Sequence, residues 1–460
     1  MSPTPSARAP SARATVGTLA LHHVPTCPST CTIVEAAAQM TRVQSNTLVV
    51  EFPGGGRGVV TDGDLRRRVV ATGVSTDAPI ATVATTPAAT IRADLSVAEA
   101  SAAVASAGVR RLLVVDDRDR LVGLALDTDL MSPAMRSGMA LRASVARSSD
   151  EEALVAACST LPSVVSSLCD ARVSAADITA VRSVVILAAL RRAAELVGDD
   201  ASTWLVSGSV ARREAVPSSD IETARVAAPG GASGSQVHAL LERCGLAADS
   251  NNATAASRRF VRTREDWAAS VEGWIADPYE DTGLVMVSLV LDAEPVVPGS
   301  WNPSSRAFAA LSDAGRTRRL LLREATDNRP RVALRDRMFR RVDTVDVKAG
   351  ILAPIVDIAR WASVSAGGAY AGTSWRSTTA RLARGAQAGV LSEGDAAVLA
   401  ESFDVVQRIR IRHQCDALRD GRPVDDLVHP SDLTPLDRSL LGTAAREVAG
   451  VVRASSFLAG

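Results

Sequence analysis

Lysine is almost missing from this chain: of the 51 basic positions, only Lys348 is lysine. An arginine bias of this kind tracks genome composition and argues for neither thermal adaptation nor nucleic-acid binding. The 51 acidic residues cancel the basic ones, so no net field favours nucleic acid or a membrane surface. Aromatic residues make up only 3 %, and Ala, Val and Leu supply much of the 47 % that is hydrophobic, a composition expected of a soluble, helix-rich globular protein. The six cysteines, at 27, 31, 158, 169, 244 and 415, form no C-x-x-C. A zinc ribbon or disulfide framework is therefore not expected, and a reducing cytoplasm is the natural setting. His22, His23, Cys27 and Cys31 read as loop and strand edge rather than as a metal site. No uncharged apolar run is long enough to cross a bilayer. Residues 1–17 are rich in Ser, Pro, Ala and Arg and lack an apolar core, which marks a disordered tail over 1–19 rather than a signal peptide. G-x-x-x-x-G-K-[ST], H-E-x-x-H and a Ser/His/Asp context are all absent.

A chain of 460 residues exceeds one ordinary core, and about three domains are expected. An internal repeat defines the first. "TIVEAA" (32–37) matches "SVAEAS" (96–101), "TLVVEF" (47–52) matches "LLVVDD" (112–117), and "GVVTDGDL" (58–65) matches "GLALDTDL" (123–130). The offsets are 64 or 65 residues throughout. Each copy predicts a helix opened by a Thr or Ser cap with Glu three residues on, two β-branched strands, and an acidic helix start.

This pattern resembles a tandem pair of CBS domains over residues 20–132. The resemblance implies an adenosine-nucleotide cleft, with a Thr hydroxyl and helix start at phosphate and an Asp at the ribose. Thr61 and Asp64 match in the first copy. Asp129 matches in the second, where Leu126 replaces the Thr. At most one good nucleotide site is expected. AMP or ATP would be the effector, and a CBS pair also implies a homodimer; a pair that only mediates dimerisation is equally open.

Residues 133–164 read as a linker, with one short helix after "SSDEE". A long helix is predicted over 174–197, capped by Ser174 and ended by Gly198, followed by a short buried strand at 202–207. From 302 onward the three- and four-residue spacing predicts a bundle, with helices near 302–324, 348–366, 373–388, 392–419 and 434–456.

Between these lies "VSGSVARREAVPSSDIETA" (206–224). A strand running into Gly208-Ser209 at a helix start offers backbone N–H groups to an anion, and Arg212 and Arg213 add charge suited to a triphosphate. Asp220 and Glu222, two apart on a predicted strand, share a face and suit a divalent cation. Acids at that spacing occur about six times by chance here, so the whole string carries the argument rather than the pair.

The string resembles the nucleotidyltransferase superfamily pattern, h-G-S followed by D-h-[DE]. It is most similar to the nucleotidyltransferases found beside CBS domains in bacteria, relatives of PII uridylyltransferase and glutamine-synthetase adenylyltransferase. Gly208, Ser209, Arg212, Glu214 and Asp220 match. Ala211 stands for a Gly, Glu222 for an Asp, and Glu294 for an Arg. "RCG" (243–245), "DWAASVEGWI" (266–275) and "SLVLDAEPVVPG" (288–299) follow in the family's order. The last is read as a strand ending in Asp292, the place of the third metal carboxylate. "VDVKAGILAPIVDIARWAS" (345–363), "RIRIRHQ" (408–414) and "LTPLDRSLL" (433–441) continue the likeness. They place Lys348, the one lysine, in a conserved-looking frame where a compact ammonium could meet phosphate.

The expected architecture is thus a multidomain α/β protein. A tandem CBS pair precedes a mixed α/β nucleotidyltransferase domain (165–300) and an all-α helical domain (301–460) that binds substrate or nucleotide. The resemblance implies transfer of a nucleotidyl group from an NTP to an acceptor, a PII-like or other protein, with Mg²⁺ or Mn²⁺ held by Asp220, Glu222 and Asp292. Gly208, Ser209, Arg212, Arg213 and Lys348 would bind the nucleotide. Neither nucleic acid nor membrane is an expected partner. The alternative is a nucleotide-sensing regulatory protein whose site departures have weakened catalysis.

Overall fold

The 64-residue offset of the sequence reappears as a repeated sheet. In the first copy β1 (Thr26–Pro28) is parallel to β2 (Thr47–Glu51), which is antiparallel to β3 (Arg57–Thr61). In the second, β4 (Thr90–Arg92) is parallel to β5 (Arg111–Val115), which is antiparallel to β6 (Leu121–Leu126). Thr26 pairs with Val49 and Thr90 with Leu113, so both partners move by 64 residues (90 − 26 and 113 − 49). The three-residue strands β1 and β4 escaped the sequence reading because so short a run shows no period. Helix α1 (Ile33–Arg42) opens on the expected capping box: Glu35 N donates to the Thr32 hydroxyl, and Thr32 N donates to the Glu35 carboxylate at 2.9 Å. The short helix α2 (Asp62–Leu65) follows β3 directly.

This computed structural model describes residues 15–19, 21–95, 111–126, 133–199, 201–227, 234–297, 300–327, 344–367 and 374–459. It divides into two units, Met1–Pro133, which holds the repeat, and Ala134–Gly460. The second copy's helix and Asp129 lie outside the described residues.

The second unit begins where a linker was expected. Residues 133–170 instead form α3 (Pro133–Ala146), α4 (Glu151–Cys158) and α5 (Leu161–Asp170). Leu141, Val145, Leu154, Cys158, Leu161, Val165 and Leu168 are buried at helical spacing in one core. The stretch 151–170 is apolar and long enough to cross a membrane. Its Leu and Val side chains nonetheless face that core. Helix α6 (Ala175–Leu196) follows, capped as expected by Ser174, whose Oγ accepts from Asp177 N at 3.1 Å, and closed at Gly198 with φ +79°.

A four-stranded sheet stands against α6, in the order β10-β7-β8-β9: β7 (Thr203–Val206), β8 (Thr223–Val226), β9 (Val261–Arg262) and β10 (Glu294–Pro295). Helix α7 (Gly208–Ala211) is a single turn between β7 and β8; α8 (Gly234–Arg243), α9 (Arg264–Ala276) and α10 (Gly283–Asp292) surround the sheet. The strand expected to end in Asp292 is therefore a helix. Met286, Val287, Val290 and Leu291 are buried at spacings of one, three and four, which a helix satisfies and a half-buried strand does not.

The remainder is the predicted bundle: α11 (Pro303–Asp313), α12 (Gly315–Asp327), the short strand β11 (Val345–Asp346), a π turn at Lys348–Leu352, α13 (Ala353–Ser365), α14 (Thr378–Gln387), α15 (Glu393–Arg419), β12 (Leu427–Val428) and α16 (Pro435–Ala459). The single helix expected over 302–324 breaks at Ala314, where ψ is 65°. Helix α15 serves two cores. Val406 and Ile409 pack into the bundle, whereas Ile411 and Cys415 pack with α3–α6 and the sheet. Cys415 is paired with Cys169 of α5, and the other four cysteines are free.

Candidate active site

The site forms where the end of β7 meets the start of β8. Ser207 N donates to Glu222 O at 3.0 Å and extends the ladder by one step beyond the strands. Asp220 and Glu222 thus precede β8 rather than lying within it. The expected alternation survives, because Ile221 between them is 1 % exposed and makes a parallel bridge to Ala248. That bridge delivers a carboxylate the sequence reading missed. Asp220, Glu222 and Asp249 each place an oxygen within 4.8 Å of the others. The cue for Asp249 is slight, an acid after the apolar "GLAA" (245–248), which looks like any loop acid. Asp249 is fixed by Ala253 N, which donates to its Oδ2 at 2.9 Å.

Gly208 is essential to this geometry. Its φ is +56°, and a Cβ there would lie 2.1 Å from Glu222 Oε2. The glycine lets the backbone of the turn touch the carboxylate. The first turn of α7 has no side-chain cap, and the Ser209 hydroxyl has no partner among the described residues. Gly208, Ser209, Asp220, Glu222, Lys348 and Arg360 share a cavity of about 240 Å³ whose apolar wall includes Leu289, Val356 and Phe403.

Charge is unevenly distributed around it. Burial pushes Glu222 up to about 7; Arg212 opposes the shift, and Asp292, Asp220 and Asp249 add to it. Burial also raises Asp220, against Lys348 and with Asp249. Glu222 Oε2 is buried and has no hydrogen-bond partner. Three clustered carboxylates and an orphaned oxygen fit a hard divalent cation with oxygen ligands. Lys348 is exposed and forms no hydrogen bond or ion pair among the described residues.

Two expected roles change. Asp292, at the end of α10 and 1 % exposed, is not in the carboxylate cluster. It is ringed by guanidinium groups: Arg212, Arg381 of α14, and Arg360 of α13 at 3.0 Å. Burial works against its ionisation, but Arg360, Arg381 and Arg212 hold its carboxyl well below the ordinary value. Arg213 does not reach the cavity. At φ +66° its guanidinium turns back to Val210 O and Ala211 O, and pairs with Glu294 at 2.8 Å. The charge reversal at Glu294 is thus neutralised within the domain. Arg212 does line the cavity, held between Asp292 and Glu214, where Glu214 Oε2 accepts from Nε at 2.8 Å and Oε1 from Thr378 N at 2.6 Å.

In the first unit Thr61 and Asp64 lie together as expected, but they cap each other: Asp64 N donates to the Thr61 hydroxyl, which donates to Asp64 Oδ2 at 2.7 Å. Arg67 reaches Asp64 at 3.2 Å. Burial opposes the ionised form, yet the Thr61 hydroxyl and Arg67 keep Asp64 below its usual value.

A repeated strand–strand unit, then a Gly-Ser turn facing clustered carboxylates, is the order of a tandem repeat pair followed by a nucleotidyltransferase-type domain. The family models follow the same order. Residues 16–71 and 80–134 match the CBS domain, residues 159–281 match "Putative nucleotidyltransferase DUF294", and residues 316–456 match "Putative nucleotidyltransferase substrate binding domain". The chain therefore carries CBS domains, a DUF294 nucleotidyltransferase-type domain and its helical C-terminal companion. Solved structures similar to it include a conserved CBS domain protein of Thermoplasma acidophilum (26 % identity, 26 % of this chain and 70 % of that one, TM-score 0.24). A CBS domain protein of Pyrobaculum aerophilum complexed with AMP is another (23 % identity, 27 % and 98 %, TM-score 0.24). No curated protein matches the chain.

Proposed function

We propose that this protein transfers a nucleotidyl group from an NTP to an acceptor hydroxyl, at the cavity between the sheet and the bundle. The observation that carries the reading is the cluster of Asp220, Glu222 and Asp249 against a turn that only glycine can make at position 208. The free N–H groups of α7 and the Ser209 hydroxyl suit the nucleotide's phosphates. Lys348 supplies a mobile positive charge to the same cavity. The apolar wall at Leu289, Val356 and Phe403 excludes water from the rest of the ligand. A divalent cation held by Asp220, Glu222 and Asp249 would neutralise phosphate charge and favour in-line displacement. The acceptor oxygen bonds to the α-phosphorus, the bond to the bridging oxygen breaks, pyrophosphate leaves, and the acceptor's proton passes to solvent. A protein acceptor and an adenine-nucleotide effector at Thr61 and Asp64 remain part of this proposal by family resemblance.

The test supplies each α-labelled NTP with Mn²⁺ or Mg²⁺ and follows pyrophosphate release and label transfer into cell extract, with and without AMP. Transfer that is lost in Asp220→Asn supports the enzyme. NTP binding without transfer, insensitive to Asp220→Asn, refutes it in favour of a nucleotide sensor.

A further inference from the structure

The loop that carries Asp220 is gripped by two helices. On one side is α6: Arg182 Nε donates to Val216 O at 2.8 Å, and Ala215 N donates to Ser183 Oγ at 3.3 Å. On the other is α15. Gln414, fully buried, accepts from Ser218 N at 3.0 Å through Oε1. Its Nε2 lies 2.7 Å from Ser218 Oγ, 3.0 Å from Asp425 O and 2.6 Å from Asp426 Oδ1. Asp426 is in turn held by Arg410, at 2.6 Å from Nε and 2.8 Å from Nη2. Ser218 Oγ closes the network by donating to Asp426 at 3.1 Å.

We propose that Gln414 is a positioning residue: from the helical bundle it holds Ser218, two residues before Asp220, and so sets where that carboxylate stands. The chemistry requires an amide. One end of the side chain must accept from a backbone N–H while the other donates to a hydroxyl and a carboxylate. A glutamate can only accept, and would set its charge against Asp426. An apolar residue would leave Ser218 N without its acceptor in a part-buried place, while Asp426 would keep Arg410 and the Ser218 hydroxyl. The proposal rests on the transferase reading only in taking Asp220 as a cation ligand. It gives the bundle a part in the site beyond lining it: the loop keeps its place only while α15 is docked.

The test measures Mn²⁺ affinity of the full-length protein by the paramagnetic signal of free Mn²⁺, together with the melting temperature. Gln414→Glu should weaken Mn²⁺ binding about tenfold or more, the scale seen when a group orienting a metal ligand is lost. Adding Asp426→Asn restores an amide opposite a carboxylate with the same total charge, and should recover most of that affinity. Ser218→Ala, which keeps the backbone anchor, should weaken binding by less than Gln414→Glu and serves if the latter does not fold. A role confined to packing would lower the melting temperature and leave Mn²⁺ affinity alone. The proposal is overturned if the variants that fold bind Mn²⁺ as the parent does, or if the double variant is no better than Gln414→Glu. A parent protein that binds no Mn²⁺ would remove both this inference and the cation reading; a parent that binds, with unaffected variants, removes this inference alone.

Discussion

Gly208→Ala separates the cost of backbone strain from the loss of a ligand. Position 198 supplies the control. Gly198 has φ +79° and open space where a Cβ would go, so Gly198→Ala carries the left-handed penalty alone, about 1–2 kcal/mol. Gly208, at φ +56°, carries a similar penalty, but its Cβ would also lie 2.1 Å from Glu222 Oε2 and 2.6 Å from its carboxyl carbon. The carboxylate is the end of a flexible chain, so it gives way rather than the backbone. To reach even 3.0 Å it must retreat by about 0.9 Å (3.0 − 2.1), close to half a metal–oxygen bond. The two variants should therefore lose comparable stability in urea unfolding, while only Gly208→Ala loses Mn²⁺ affinity, by about tenfold or more. Label transfer should fall with it. Equal Mn²⁺ binding by Gly198→Ala and Gly208→Ala would refute the reasoning, because it would mean that Glu222 either does not move or is not a ligand.

Asp249→Asn should keep its fold and lose Mn²⁺ affinity, whereas Asp292→Asn should lose about 3–5 kcal/mol in urea unfolding because three buried guanidinium groups lose their common carboxylate. The opposite pattern would return Asp292 to the metal site. Lys348→Ala should leave stability within about 0.5 kcal/mol, since the side chain is exposed and forms no hydrogen bond or ion pair among the described residues, while raising KM for the NTP in the transfer assay. His238 is buried on α8 beside the Thr223 hydroxyl at 2.8 Å, and burial lowers its pKa from 6.5 to about 4. Between those values the unfolded chain binds the proton and the folded one does not, so this contribution is full above pH 6.5 and is lost as pH falls through 4. The loss is at most about 3 kcal/mol, and His238→Gln should flatten that part of the stability–pH curve.

What the sequence disclosed follows from the range of each interaction. Caps are local, so Thr32 and Ser174 marked their helices correctly. The repeat is a comparison of the chain with itself, and it disclosed two strands of each CBS sheet but not their register: the matched segments 47–52 and 112–117 are 65 residues apart, whereas Val49 and Leu113, which pair with Thr26 and Thr90, are 64 apart. The apolar run 288–292 was misread as a strand because burial on several sides erases the contrast on which period depends. Asp292 entered the expected metal set through the family resemblance; the structure surrounds it with Arg212, Arg360 and Arg381. Asp249 was illegible for another reason, and Gln414, though it closes the motif 408–414, carried no sign of its role. Each meets the site through long-range contact, the bridge at Ala248 and the bonds to Ser218, and nothing near either residue records that partner.

The arginine-rich interior supplies the remaining link between fold and site. Arg212 comes from the turn after β7, Asp292 from the end of α10, Arg360 from α13 and Arg381 from α14, so one buried carboxylate ties the sheet domain to two helices of the bundle. Hydrophobic packing alone would tolerate a small slip of one layer over another. A slip here would strand buried charges without partners, at a cost of several kcal/mol each. The joint between the layers is therefore fixed in register, and the loop bearing Asp220 spans that same joint, held by Arg182 on one side and Gln414 on the other. A cation site whose ligands must agree to a fraction of an ångström needs such a frame. On the proposed reading, the arginines around Asp292 leave the cation to Asp220, Glu222 and Asp249 and fix the surfaces between which those carboxylates stand.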